Sequence, residues 1–431
     1  MQILPKKDHF ETISELKVQI ESCFDDFRLP YEISDFNYSF LNPSDNTFEV
    51  LVNEHKEKIL IPDATHYPFL FRGQQKDHEP CLPTLYRNHT SDLQFFIERL
   101  RQVEFKILLD QHPVVNRFFK KYNFKIDGIG LAQHYGLKTD ILDLTNDLDI
   151  AIFFALCHYN KENDSYEPIS EEGIQKAIIF IVLPFVHINP KKGTFLEEKI
   201  SVIGLQPFER PGVQKGFSIH LEKGESLQAK KYSFNYTKSD SEYYFKKFDN
   251  GKKLWVDDVL AKKTKAIASK TEFSFITFNQ ACKLYLPKGL SKNKLSKQLN
   301  LSGINLSTQN SISTFSDLEL ENIKWKWNTE QVDKCILQIR RRFWNESTDK
   351  NEAGKRHEFR TVEMLSQIEL LRLIGNRSEI EEHELTTSNK NIITNRDQSQ
   401  NNYDSGWKKV PGRFELCKSE IFLKREDCLI E

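Results

Sequence analysis

The stretch GIGLAQHYGLKTDILDLTNDLDIAIFFAL, residues 128–156, places polar side chains inside apolar surroundings. We expect a helix that runs into His134 and Tyr135 and ends at the following glycine, because glycine readily adopts the left-handed conformation that closes helices. A strand-like segment then holds Asp143 among aliphatic residues, and a second helix follows from about Ala151. These elements predict an α+β fold that combines helices with a sheet.

Two residues of this stretch have side chains suited to binding or catalysis. His134 could carry a proton or donate a hydrogen bond to a ribose hydroxyl, and Tyr135 could stack on a ring. A histidine near a helix end is also commonly a structural residue with satisfied hydrogen bonds. The sequence leaves both interpretations open.

Upstream, an arginine interrupts the apolar run FLFRGQQ, residues 69–75. A buried guanidinium at Arg72 needs an anionic or hydrogen-bonding partner, because an unpaired buried charge is costly. Gly73 would let a phosphate or another backbone approach closely. Arg72 could therefore bind a ligand, or it could pair with an internal carboxylate such as Asp143.

Downstream, GLQPFERPGVQKGFSIH, residues 204–220, carries Arg210 and Gln214 in a loop before a predicted strand. Taken with the two blocks above, it resembles the FRG domain, a bacterial and phage module named for its Phe-Arg-Gly signature. The resemblance covers about residues 66–327. It rests on Phe71-Arg72-Gly73-Gln74, Pro83 through Arg87, Leu131 through Leu137 with Thr139, Leu142, Asp143 and Thr145, then Pro207, Arg210, Gln214, Gly216 and Phe217, and finally Gly303-Ile304-Asn305 and Phe315 through Leu318.

The resemblance implies a setting and a site. FRG domains occur in bacterial toxins and defence-associated proteins, which implies an effector of toxin or phage-defence type. The order of the polar blocks is similar to that in ADP-ribosyltransferases, which implies a pocket for a nucleotide such as NAD. By this analogy the catalytic residues are Arg72, His134, Tyr135 and Gln214, and the cofactor-binding residues are Arg72, Gly73, Asp143 and Arg210.

Transfer of ADP-ribose would also need a carboxylate to stabilise a developing positive charge on the ribose. Gln214 is neutral, so Glu209 or Glu222 would have to supply that charge, or the domain would bind a nucleotide without cleaving it. The alternative from a different functional class is a non-catalytic module that senses nucleic acid or a phage protein. NAD is a candidate substrate, and the sequence identifies neither a cofactor nor a protein partner.

The pattern along the chain predicts three parts. Residues 1–65 form an N-terminal extension, 66–327 form the FRG domain, and 328–431 form a C-terminal α/β appendage. Within the domain, a segment at about 223–272 has the composition of an insertion. A polar stretch at 384–406 is expected to be a loop.

The insertion contains a lysine-rich segment at 230–271, where 11 lysines face 5 acids, a local balance of 11 − 5 = +6. Its cations alternate with tyrosine, phenylalanine and tryptophan, the composition found where rings stack on bases and lysines meet phosphates. Nucleic-acid binding through this segment is one interpretation. The other is a solvated insertion whose aromatic side chains pack inward.

Composition limits the remaining possibilities. The chain has 61 Lys and Arg against 62 Asp and Glu, so a net charge of -1 provides no global attraction to nucleic acid or to a membrane. No apolar run is long enough to span a bilayer. The seven cysteines form no C-x-x-C pair, which argues against a structural zinc site or a disulfide framework. We therefore expect a cytoplasmic protein without a metal site.

Overall fold

A computed structural model describes residues 4–28, 48–52, 57–62, 69–87, 91–183, 199–308, 311–340, 415–416 and 425–431. The predicted loop at 384–406 and most of the predicted appendage lie outside these ranges. None of the helices within them has the length and apolarity that a membrane crossing requires.

The strands are β1 (His9–Phe10), β2 (Phe48–Val52), β3 (Lys58–Pro62), β4 (Leu70–Gln74), β5 (Ile141–Thr145), β6 (Cys157–Asn160), β7 (Ser165–Pro168), β8 (Gln175–Val182), β9 (Ile200–Val202), β10 (Gly216–His220), β11 (Lys230–Tyr236), β12 (Glu272–Ser274), β13 (Asn305–Ser307) and β14 (Glu415–Leu416). The helices are α1 (Ile13–Arg28), α2 (Asp92–Gln111), α3 (Gly128–His134), α4 (Leu148–Leu156), α5 (Glu209–Val213), α6 (Lys238–Lys247), α7 (Val259–Ala268), α8 (Phe275–Tyr285), α9 (Lys292–Leu301), α10 (Asp317–Lys326), α11 (Val332–Arg340) and α12 (Arg425–Cys428). The described residues also include two π-helices, Val115–Phe119 and Trp327–Gln331, and a 3₁₀ turn, Thr84–Tyr86.

A seven-stranded mixed sheet organises the fold, with the strand order β1-β11-β8-β4-β5-β10-β9. Its neighbours pair antiparallel except β1 and β11, which run parallel. Smaller sheets pair β6 with β7, β12 with β13, and β2 with β3 and β14. Helices and a mixed sheet in one domain confirm the predicted α+β class.

The central strand β8 shows how the sheet divides the core. Alternate residues of a strand point to opposite faces. Ile178 and Phe180 accordingly join the core that includes side chains of α2 and α3, whereas Ile179 and Ile181 join the core that includes side chains of α1 and α4. Both faces of β8 are buried, which explains why its sequence is almost continuously apolar.

The segment at 223–272, which we expected to be an insertion, contributes an inner strand of the main sheet. β11 lies between β1 and β8, and it pairs with β8 along its whole length. Tyr232, Phe234 and Tyr236 alternate along β11 and are buried in the core shared with α1 and α4. The aromatic residues of this strand therefore pack inward and serve the fold.

The lysines of this segment are mostly neutralised by acids from elsewhere in the chain. The pairs are Lys230 with Asp8, Lys231 with Asp77 and Glu79, Lys238 with Glu172, Lys247 with Asp149, Lys263 with Glu319, Lys265 with Asp164 and Lys270 with Glu104. The local charge excess seen in the sequence is consequently much reduced in the folded protein.

Candidate functional site

A chain of contacts joins four of the predicted site residues, here called the polar cluster: Arg72, Asp143, His134 and Gln214. Nη1 of Arg72 on β4 donates to the backbone oxygen of Asp143 on β5, at 2.9 Å. Oδ1 of Asp143 lies 3.1 Å from Nε2 of His134 at the end of α3, and Nδ1 of His134 lies 2.9 Å from Oε1 of Gln214. Residues that are far apart in sequence thus meet where β4, β5 and α3 come together.

The end of α3 sets the position of His134. Asp127 caps the beginning of this short helix by accepting a hydrogen bond from the backbone of Gly130 at 2.8 Å. The helix ends before Gly136, whose φ of 97° confirms the predicted glycine stop. Gly216 on β10 gives the His134 ring its space, since a Cβ at position 216 would lie 2.9 Å from Cε1 of His134.

Gln214 determines which nitrogen of His134 carries the proton. Nε2 of Gln214 donates to the backbone oxygen of Leu254 at 2.8 Å, so its Oε1 must accept from Nδ1 of His134. A neutral His134 therefore presents the lone pair of Nε2 on its other side. Gln214 acts on the site through His134, as a positioning residue.

Three atoms of the polar cluster are buried without a hydrogen-bond partner among the described residues: Nε of Arg72, Nε2 of His134 and Oδ1 of Asp143. The last two lie 3.1 Å apart, yet their orientation does not meet the geometry of a hydrogen bond. Buried polar atoms in folded proteins are nearly always paired, so these three atoms leave hydrogen-bonding capacity unused at one place. The Asp143 side chain as a whole is 34% exposed.

A second guanidinium lies beside the polar cluster. Arg87 follows the 3₁₀ turn Thr84–Tyr86, and its Nε donates to the backbone oxygen of Leu82 at 2.9 Å. Burial and the charge of Arg72 lower the pKa of Arg87, while Cys81 and Asp143 oppose that shift. Arg72, Arg87 and Asp143 are thus within electrostatic reach of one another, and two guanidiniums beside one carboxylate leave an excess of positive charge.

An aromatic wall, formed by Tyr159, Tyr166 and Trp255, adjoins the polar cluster. The Trp255 ring lies 5.2 Å from the Tyr159 ring and 5.3 Å from the Tyr166 ring. Tyr159 is 39% exposed, so part of the wall faces solvent. Arg210 supports the wall, because its guanidinium lies 4.0 Å from the Trp255 ring centroid while its Nε donates to the backbone of Val256.

Tyr166 connects the wall with the polar cluster. Burial raises the pKa of Tyr166, the negative charge of Asp143 raises it further, and Arg210 and Arg72 oppose the shift. The Tyr166 phenol is therefore protonated over the physiological range and can donate a hydrogen bond. Its hydroxyl makes no hydrogen bond within the described residues.

Tyr135 does not have the position that we expected for a ring that stacks on a ligand. Only 4% of Tyr135 is exposed, and its hydroxyl donates to Oδ2 of Asp258 at 2.6 Å. Burial raises the pKa of Asp258, which also caps α7 by accepting from the Ala261 backbone. Tyr135 thus joins α3 to α7 inside the core, and its satisfied hydroxyl and buried ring leave little for a ligand to contact.

The space at Gly73 is also taken by the protein. A Cβ at position 73 would lie 1.8 Å from the backbone oxygen of Ala151 on α4, so the glycine allows the helix to lie directly on β4. Among the predicted carboxylates, Glu209 is held by Lys326 and by Nε2 of Gln331. Asp143 is the carboxylate that belongs to the polar cluster.

The sequence analysis did not select Arg87, Tyr166 or Trp255 as site residues. Arg87 stood within one of the quoted FRG blocks, and Trp255 within the aromatic run, so each carried a signal. Tyr166 carried none, because it reaches the site on the β6–β7 hairpin. No group of three or more His, Cys, Asp or Glu side chains in the described ranges could hold a metal ion.

Comparison with known protein families matches part of the chain. Residues 67–164 match the model of the FRG domain, which confirms the resemblance for this part of the chain. The matched range includes Arg72, Arg87, His134 and Asp143, whereas Gln214 lies beyond it. No curated protein and no solved structure matches the chain.

Proposed function

We propose that the FRG domain binds a nucleotide at the polar cluster and the adjoining aromatic wall. The observation that carries the proposal is the guanidinium of Arg72, which is held against the Asp143 backbone while its Nε has no hydrogen-bond partner, with the charge of Arg87 nearby. A phosphate group would supply the missing acceptor and balance the excess charge.

The other groups have roles that suit the rest of a nucleotide. Nε2 of His134 can accept a hydrogen bond from a ribose hydroxyl, because Gln214 holds the proton on Nδ1. The free hydroxyl of Tyr166 can donate to a phosphate or a ribose oxygen. The exposed part of Tyr159 and the neighbouring Trp255 offer ring faces for a base.

A second candidate, transfer of ADP-ribose from NAD, is favoured by the position of Asp143. The bond between nicotinamide and C1′ of the ribose would break, and nicotinamide would leave with the bonding electron pair. The Asp143 carboxylate would stabilise the positive charge at C1′. A hydroxyl or carboxylate acceptor would then form the new bond to C1′, and a hydroxyl acceptor would release its proton to a base.

The biological setting follows from the family resemblance: a cytoplasmic bacterial effector of toxin or phage-defence type. The alternative remains a non-catalytic module that senses nucleic acid or a phage protein. Consumption of NAD separates the two, because a binding module leaves the nicotinamide bond intact.

Calorimetric titration of the full chain with NAD, ADP-ribose, AMP and inorganic phosphate tests the binding proposal. We expect one of the nucleotides to bind more tightly than phosphate, and Arg72→Ala to weaken it at least tenfold, about 1.4 kcal/mol. Arg101→Ala is the matched control, because Arg101 also has an orphaned Nε and pairs with one carboxylate, Glu98, away from the cluster.

Two outcomes would contradict the proposal: no nucleotide binds the wild-type chain, or Arg72→Ala and Arg101→Ala weaken it equally. For the transfer candidate, Asp143→Asn should abolish release of nicotinamide while nucleotide binding persists. Release that is unchanged in Asp143→Asn would exclude Asp143 as the stabilising carboxylate.

A further inference from the structure

A cavity lies beside one end of the main sheet, at a place separate from the polar cluster. Its volume is about 660 Å³. Small-molecule sites in proteins typically measure about 300–1,000 Å³, so the cavity has the size of such a site. Residues of β8 and β11 and of the segment after β4 line it, and no residue of the polar cluster or of the aromatic wall does so.

Lysines dominate the lining of the cavity. It contains four lysines and two aspartates, a balance of 4 − 2 = +2, namely Lys76, Lys176, Lys230, Lys231, Asp8 and Asp77. Ammonium groups that surround one space repel one another, and an anion between them would relieve that repulsion. The charge of the lining therefore favours an anionic ligand.

Two of the four lysines are held by acids of the protein. Nζ of Lys230 lies 2.7 Å from Oδ1 of Asp8. Nζ of Lys231 lies 3.0 Å from Oδ2 of Asp77 and also contacts Glu79. These ion pairs fix the ammonium groups on the β11 side of the cavity before any ligand enters.

The other two lysines have no acidic partner in the parts of the chain that the structure describes. Lys176 lies at the beginning of β8, and Lys76 follows the end of β4. Because β4 and β8 run antiparallel, these two positions lie at the same edge of the sheet. Both lysines line the cavity, so two ammonium groups without a counter-charge meet at one place.

The uncharged part of the lining suits an organic ligand. Ile178 and Ser233, which pair across β8 and β11, both belong to it. The methylene stems of the lysines extend the apolar surface around Ile178. Gln75 also lines the cavity, and its side chain makes no hydrogen bond within the described ranges, so its amide can bind a polar group of a ligand.

We propose that this cavity binds a small organic phosphate. A phosphate monoester carries a charge of about −1.5 to −2 at pH 7, which matches the two lysines that lack an acidic partner. Its oxygens accept charge-assisted hydrogen bonds from Lys76 and Lys176, while its organic part lies against Ile178. The site shares no residue with the proposed nucleotide site at the polar cluster.

Calorimetric titration of the full chain with phenyl phosphate tests the proposal. Benzenesulfonate has the same ring and only one charge, so it should bind at least several-fold more weakly. The double variant Lys76→Gln/Lys176→Gln should weaken phenyl phosphate binding about tenfold, because two exposed charge interactions are lost. Lys252→Gln/Lys253→Gln is the matched control, since this pair also lacks acidic partners among the described residues and lies outside the lining.

Arg72→Ala distinguishes the cavity from the polar cluster, because it should leave phenyl phosphate binding at the cavity in place. Four results would overturn the proposal. They are no binding of phenyl phosphate to the wild type, equal affinity for benzenesulfonate, equal weakening by the two pairs of lysine substitutions, and binding that Arg72→Ala removes while Lys76→Gln/Lys176→Gln retains it.

A gain of affinity provides a second measurement that loss of folding cannot imitate. Asp8→Asn releases Lys230 from its ion pair and should tighten phenyl phosphate binding about threefold. Glu172→Gln is the control, because it releases Lys238, which lies outside the lining. Unchanged or weaker binding in Asp8→Asn, or an equal gain in Glu172→Gln, would contradict an anion site in this cavity.

Discussion

Two pairs of aspartate and histidine lie at the two ends of α3, and they differ in how completely they are bonded. At the beginning of the helix, Oδ2 of Asp127 accepts hydrogen bonds from Ser218 at 2.7 Å and from Nε2 of His220 at 3.1 Å. At its end, the His134–Asp143 pair leaves buried atoms orphaned. The same two residue types therefore form a closed structural junction at one end and an incomplete site at the other.

The pKa shifts of Asp127 and His220 show that this pair is fully bonded. Burial alone would raise the pKa of Asp127, but the hydrogen bond and charge of His220 with the bonds from Gly130 and Ser218 lower it to about 2. Burial lowers the pKa of His220, and Asp127 more than reverses that effect. The junction thus stabilises its own ion pair, which a ligand could only disturb. The unmade bonds distinguish the proposed binding site from the structural pair, and the following experiments test this distinction.

The largest expected effect is on stability at the closed junction. Asp127→Ala should lower the free energy of unfolding by about 3–5 kcal/mol, because it leaves a buried partner uncompensated. Asp143→Ala should lower the free energy of unfolding by less than about 1.5 kcal/mol, since the Asp143–His134 pair is already poorly bonded. Urea unfolding of both variants measures the difference, and equal losses would remove the distinction between the two pairs.

Gly216→Ala, a change beside His134 of the incomplete site, should lower the free energy of unfolding by an intermediate amount. The added Cβ would lie 2.9 Å from Cε1 of His134, so the ring must shift, at a cost of about 1–3 kcal/mol. We expect weaker nucleotide binding in calorimetry. Gly212→Ala is the control, because a Cβ there would lie 3.6 Å from Gln206 and needs no adjustment. Unchanged binding in Gly216→Ala would contradict a role for the His134 position.

The pH dependence of stability should be specific to the closed junction. Because its pKa is depressed, Asp127 stabilises the fold at pH values above its ordinary pKa of 3.8, and this stabilisation is lost as the pH falls toward about 2. Because its pKa is raised, His220 stabilises the fold at pH values below its ordinary pKa of 6.5, and this stabilisation is lost as the pH rises through the raised pKa.

The stability difference between the wild type and Asp127→Asn should therefore be greatest between about pH 4 and 6.5. Above that window it should shrink, as His220 loses its charge. Urea unfolding at pH 3, 5 and 9 measures the difference. A difference that grows from pH 5 to pH 9 would have the wrong sign for an Asp127–His220 ion pair.

The smallest effect is expected at lysines remote from both pairs. Lys246, Lys252 and Lys253 have no ion-pair partner in the described residues, so replacing all three by Gln should change stability by less than about 0.5 kcal/mol. RNA binding, measured by fluorescence anisotropy at several salt concentrations, should be unaffected. If the three substitutions flatten the salt dependence by about two to three units, residues 230–271 contact a nucleic-acid backbone after all.

Local patterns predicted the elements whose signals are continuous in the sequence. The amphipathic spacing of DLQFFIERLRQVEFKILLD, residues 92–110, predicts a helix and this stretch forms α2, while the short branched run AIIFIVLP from Ala177 predicts a buried strand and forms β8. Asp92 is a possible cap by residue type, but Ser91 forms the capping box with Gln94 and Asp92 is already helical. Both residue types cap helices, so composition alone cannot distinguish the two positions.

The secondary structure of the lysine-rich segment was harder to predict. Its many charged residues obscured the alternation of buried and exposed positions that is typical of a strand. Tyr232, Phe234 and Tyr236 alternate along β11 as in a buried strand. Single polar residues in apolar blocks indicated Arg72, Asp143 and His134, which the fold brings into contact. Tyr166 and Arg87 come near these residues only in the folded protein. No local sequence pattern predicts which distant hairpin or turn packs beside the polar cluster.

The parallel pairing of β1 with β11 has a consequence for biosynthesis. It joins His9 to Ser233 and Phe10 to Phe234, so the first strand of the sheet must wait for residues synthesised more than two hundred positions later. Until β11 leaves the ribosome, the outer edge of β8 is unpaired and apolar, and it can associate with other chains. Translation of this protein therefore includes an interval in which a chaperone that covers extended apolar segments would increase the yield of folded chains.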